Sequence, residues 1–240
     1  MTEGAEGMAE PVCLVTGVGP GTGAALARRF AHGGYRVAML ARDSTRLGIL
    51  EHEIPGAAGF VCDVAAADAL AETLTAVRAR LGPPEVVIHN AVGGVFGDFQ
   101  TIDPGVLRHN FEVNTMALLM VARAVAPDMI AAGKGTILCT GNTSAHRGAA
   151  SFAGFAPTKA AQRILAQSIA RSLGPRGVHV AYVTIDAVID RAWTRQLHAD
   201  KPDEFFIRPE DIAEECWHVA HQPRSAWSFD VEVRPFGERW

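Results

Sequence analysis

Val12-Cys13-Leu14-Val15-Thr16-Gly17-Val18-Gly19-Pro20-Gly21-Thr22-Gly23, with the alanine-rich run that continues to His32, decides how this chain folds. Val12–Thr16 is a short, largely β-branched strand, and the stretch from Gly21 to His32 has helical composition. Between them Gly17, Gly19, Gly21 and Gly23 alternate with other residues. Glycine lets a chain turn sharply and lets its amides approach an anion, and the helix that follows offers free N–H groups and a favourable dipole. Any tight strand–helix turn favours glycine. The context is what points to a pyrophosphate site: the turn follows the first strand, opens a helix and sits in a βαβ unit.

The alternation continues outward. Strands are expected at Arg36–Leu40, Gly59–Cys62, Glu85–His89, Thr136–Thr140, Val178–Val183 and Phe229–Val233. Helices are expected at Ser44–Glu53, Ala65–Leu81, Pro104–Ala132, Phe155–Leu173 and Pro209–His221. Such alternation without a composition break predicts one α/β domain: a doubly wound parallel sheet of about seven strands, with helices on both faces. Residues 1–10 read as a flexible tail ahead of the domain at 11–240, without the charged start and apolar centre of a signal peptide.

Composition narrows the function. The 240 residues are 48% apolar, enough for a large core, and the formal charge of −4 without a basic run argues against nucleic acid. Apolar stretches read as strand-length, so no membrane association is expected. Cys13, Cys62, Cys139 and Cys216 are widely spaced and suit buried thiols in a reducing cytoplasm. The histidines form no HExxH or similar spacing, so no metal site is expected.

Thr16-Gly17-x-x-x-Gly21-x-Gly23 resembles the cofactor turn of the short-chain dehydrogenase/reductase family, with Gly19 and Thr22 inside it. Asp63-Val64 after strand three is similar to the family's adenine-contacting pair, and His89-Asn90-Ala91 to its Asn-Asn-Ala-Gly. Asn114 matches an asparagine whose carbonyl helps organise an active-site water, and Lys159 the lysine that clamps the nicotinamide ribose. The resemblance also implies a cofactor contact at Val188. It covers about Pro11 to Val183 and implies a Rossmann fold, a nicotinamide cofactor, and a homodimer or homotetramer paired through the two long helices.

NAD-preferring relatives carry a carboxylate at the end of strand two. Here Ala41 stands there, followed by Arg42, whose guanidinium suits a 2′-phosphate, so NADP(H) is favoured over NAD(H). The alternative is a solvated Arg42 with Asp43 on the ribose hydroxyls.

The catalytic positions depart from the family. Its tyrosine, four residues before the lysine, is Phe155 here, and the serine thirteen positions earlier is Asn142. Tyr35 and Tyr182 lie in other strands and cannot take the place of Phe155, and the Pro-Gly after strand six is replaced by Ile185-Asp186. A substitute proton donor is sought in His146, near Ser144, or in Lys159 itself. Arg147, Asp190 and Arg191 are candidates to hold a polar substrate, under a lid over Asp190–Arg208. The leading expectation is an NADP(H)-dependent oxidoreductase for a small carbonyl, alcohol or activated double bond. A non-catalytic NADP(H)-binding protein and a non-redox enzyme in the same pocket are the alternatives.

Overall fold

A computed structural model describes residues 10–238. The expected tail therefore lies, except for Glu10, outside the described residues. The chain runs β1 (Val12–Thr16), α1 (Thr22–His32), β2 (Arg36–Ala41), α2 (Ser44–Glu53), β3 (Ala57–Val61), α3 (Ala67–Leu81) and β4 (Pro84–His89). It continues with α4 (Pro104–Phe111), α5 (Ala117–Ala132), β5 (Gly135–Asn142), α6 (Ala156–Leu173), β6 (Val178–Ile185) and β7 (Val188–Ile189). Last come α7 (Ala192–Leu197), β8 (Phe206–Ile207), α8 (Pro209–Ala220) and β9 (Asp230–Val233).

Seven strands form one sheet in the order β3-β2-β1-β4-β5-β6-β9, every pair parallel. Side chains alternate across a strand, so Val12 and Leu14 of β1 enter the core shared with α3, α5 and α6, while Cys13 and Val15 enter the one shared with α1, α2 and α8. All four cysteines are buried free thiols. The order reverses direction at β1, which pairs with both β2 and β4. Ligands of such sheets bind beyond the strand ends at that reversal.

Three departures from the sequence reading matter for the site. The helix expected over Pro104–Ala132 is interrupted by one π-helical turn, Glu112–Met116, which carries the buried Asn114. Such one-turn insertions recur at functional positions. By length and composition 104–132 could cross a bilayer (mean hydropathy 1.5), which corrects the reading of strand-length apolar runs. In this fold its Leu118, Val121, Ala122, Val125 and Met129 belong to the core. Secondly, β5 and β6 each extend two residues further, because the ladder continues through Gly141↔Thr184 and Asn142↔Ile185. Thirdly, the lid is ordered: β7 and β8 pair as a small parallel ladder flanking α7.

Candidate active site

The glycine turn is fixed by contacts only glycine permits. Gly17 has φ +70°, and a Cβ there would lie 2.5 Å from Ala91 Cα. A Cβ on Gly23 would lie 2.5 Å from the Gly17 carbonyl oxygen. Gly19 faces open space, and the atoms nearest to a Cβ on Gly21 would be those of the Arg191 side chain.

Buried hydrogen bonds stitch this turn to the neighbouring strand ends. His89 is wholly buried and lies 3.2 Å by its Nε2 from the Val113 carbonyl, which can only accept, so Nε2 carries the proton. Its Nδ1 then accepts from the Thr16 hydroxyl at 3.1 Å, and the same hydroxyl oxygen accepts the Asn90 and Ala91 amides at 3.2 Å each. Burial, with the nearby Lys159 charge, lowers the His89 pKa to about 4 and keeps the ring neutral. Asn90 donates to the Gly17 carbonyl at 2.9 Å and accepts from the Thr140 hydroxyl at 3.0 Å, joining β1, β4 and β5.

The residues present fit a dinucleotide. The Gly21, Thr22 and Gly23 amides donate to no acceptor among the described residues, α1 has no side-chain cap, and the buried Thr22 hydroxyl is without a partner. Those donors suit a pyrophosphate. At the end of β2, Arg42 is exposed, while Asp43 caps α2 by accepting from the Arg46 amide at 3.0 Å and pairs with its guanidinium at 3.2 Å. Asp43 is thereby engaged within its own helix. Asp63 accepts from the Ala65 amide, and Val64 is buried beside it.

Around the catalytic positions, Asn142 uses its Oδ1 to accept from the Ser144 amide at 3.1 Å, which leaves its NH2 for a ligand. Phe155 is buried just before α6, its ring 5.2 Å from Phe96 and 6.5 Å from Phe152. Phe96, Phe152 and Phe155 together form an apolar aromatic cluster at this position. Lys159 is buried and donates to Gln162 Oε1 at 2.5 Å and to the Thr140 carbonyl at 3.1 Å. Burial lowers its pKa to about 8.

Gln162 also donates to the Asn114 carbonyl at 2.6 Å and accepts from Tyr182 at 3.3 Å. The carbonyl that the resemblance assigns to a water thus takes a side-chain amide. Asn114 is further held by both Gly93 backbone groups (3.0 Å each) and by Thr158 (2.8 Å). Sequence reading missed Gln162, although its i+3 spacing from Lys159 puts both on one helix face.

The structure thus gathers Asn114, Lys159 and Gln162 behind the Gly17–Asn90 seam. His146 stands apart: it is exposed and its Nε2 meets the Thr184 hydroxyl at 3.2 Å. A hollow of about 340 Å³ is lined by Ser144, His146, Arg147 and Phe152, among others. A larger one, about 800 Å³, lies off the cofactor turn between β8–α8 and the segment after β9. Val188 sits on the lid ladder opposite Phe206.

A family model described as short chain dehydrogenase matches residues 11–200. The chain is 34% identical over 177 residues to D-erythrulose reductase from Gallus gallus, covering 73% of this chain and 70% of that protein. It is 29% identical over 184 residues to L-xylulose reductase from Mesocricetus auratus, covering 76% and 74%. A metagenomic short-chain oxidoreductase solved in complex with NADP superposes with a TM-score of 0.82 at 33% identity, covering 94% of this chain and 97% of that one.

Proposed function

The chain belongs to the short-chain dehydrogenase/reductase family, and on that premise we propose an NADP(H)-dependent oxidoreductase for a small carbonyl, alcohol or activated double bond, with a non-standard site built on Asn142, Phe155 and Lys159. NADP(H) preference is supported by the exposed Arg42 and by Asp43 being held in the α2 cap. The cofactor supplies or accepts a hydride when bound. Thr22 and the α1 amides bind its pyrophosphate, and Asn142 orients the substrate by donating from its NH2 group.

One observation carries the choice of chemistry: Lys159, with its pKa lowered to about 8, is the buried cation of a site whose tyrosine position is a phenylalanine. Two of its three N–H bonds are committed, which leaves one to hold a ribose hydroxyl or deliver a proton. His146, exposed and tied to Thr184, is the weaker donor. The apolar ring cluster favours an activated alkene or an imine, whose reduction needs less help from an acid.

The same withdrawal of Lys159 into the protein supports a second reading, a non-catalytic NADP(H)-binding protein. Titration with NADPH and NADH, followed by turnover on aldehydes, ketones, enones and imines, separates the two. NADPH should bind several-fold tighter than NADH, Arg42→Ala should erase the gap, and enone or imine turnover should exceed that of simple ketones. Tight NADPH binding without any turnover selects the binding protein. Equal affinity for both cofactors overturns the NADP assignment.

A further inference from the structure

We propose that Arg191 is a pyrophosphate ligand, reaching from the lid onto the glycine turn; this rests on the dinucleotide reading above. The turn 16–23 contains no basic residue. The cations of α1 are occupied, Arg28 with Glu53 at 2.8 Å and Arg29 with Glu214 at 2.5 Å. Arg191 arrives from another part of the chain. The position a Cβ would take on Gly21 lies 3.1 Å from its Cδ, 3.2 Å from its Nε and 3.4 Å from its Cζ. The guanidinium therefore lies over Gly21, the N-cap of α1, next in sequence to Thr22, whose buried hydroxyl is without a partner.

The other lid arginines are neutralised. Arg195 pairs with Asp190 at 2.7 Å and with Asp203, and Arg208 pairs with Asp211 at 2.8 Å. Arg191 has no acid partner among the described residues. Its backbone is nevertheless held: the Arg191 amide donates to the Thr194 hydroxyl at 3.0 Å, which donates in turn to the Ile189 carbonyl at 2.6 Å. A positioned, uncompensated guanidinium over free backbone donors is complementary to a doubly charged pyrophosphate, which it can meet with two parallel N–H bonds. Arg191 would then move aside to admit the phosphates and bind them from the opposite side, so that cofactor and lid hold one another.

Calorimetric titration of the full chain with NADPH, NADH and adenosine 2′-monophosphate tests this. Arg191→Ala should weaken NADPH and NADH by the same factor, roughly ten- to hundredfold for a charge-assisted contact. Adenosine 2′-monophosphate, which lacks the pyrophosphate, should bind unchanged, and Arg191→Lys should recover part of the loss. Arg42→Ala should give the opposite pattern, weakening NADPH and the monophosphate but not NADH. Wild-type affinity of Arg191→Ala for both dinucleotides overturns the proposal and spares the function. An equal loss of the monophosphate also overturns it, since the effect would then not be at the pyrophosphate. A wild-type chain that binds neither dinucleotide overturns both readings.

Discussion

Single residues in the cofactor turn differ in what they do for the fold and for the ligand. A Cβ on Gly17 or Gly23 would run into backbone at 2.5 Å, whereas Gly19 has open space. Gly17→Ala should lower the thermal midpoint, by an amount consistent with a loss of about 1–3 kcal/mol for strained backbone, and Gly23→Ala should lower it through collision of its Cβ with the Gly17 carbonyl oxygen. Gly19→Ala and Gly21→Val should keep the midpoint within a degree or two, and Gly21→Val should abolish dinucleotide binding. A Gly21→Val protein that still binds NADPH would show that the cofactor does not use this turn. At the acid position, a Lys159 proton donor must be protonated to work. Turnover should therefore be flat below about pH 8 and fall above it. Phe155→Tyr should raise ketone reduction, but by less than the ~10²–10⁴ of a full general acid, because Gln162 holds the Lys159 ammonium that would activate the phenol.

Among elements, the β1–β4 seam couples the turn to proton concentration. The His89 pKa is near 4 in the fold against 6.5 when unfolded, so between these values the unfolded chain takes up the proton first. Stability is full above about pH 6.5 and is lost as pH falls towards 4, by up to about 3 kcal/mol. Protonated Nδ1 could no longer accept from Thr16, and the hydroxyl that anchors Asn90 and Ala91 would be displaced. His89→Asn should flatten the urea-unfolding free energy between pH 6.5 and 4.5; an unchanged slope would move the acid sensitivity elsewhere. This seam also marks the limit of what the sequence conveys. Strand–helix alternation and the glycine turn were legible because they are local and periodic. The Lys159–Gln162–Asn114 relay was not, because its members are brought together across 48 residues by packing. The arrival of Arg191 at Gly21 was equally hidden, since it depends on a two-residue ladder too short to leave a pattern.

At the scale of the molecule, the homo-oligomer implied by the resemblance is our proposal, seated on α4–α5 and α6, where Met116 and Ile164 are 41% and 55% exposed. Ile164→Arg should convert the species seen by light scattering to monomer at micromolar concentration, and an unchanged mass would place any interface elsewhere. The topology has a further consequence, for how the chain is made. β1 is completed by β4, and the Thr16 hydroxyl has no Ala91 amide to receive until a further 75 residues exist. At bacterial or eukaryotic synthesis rates of roughly 5–20 residues per second, that is a wait of about 4–15 s. During it, a ribosome-bound N-terminal half carries the complete glycine sequence without the partner that shapes it. Nascent chains arrested before β4 emerges should ignore NADPH, and the cofactor can act as a folding aid only from that length onward.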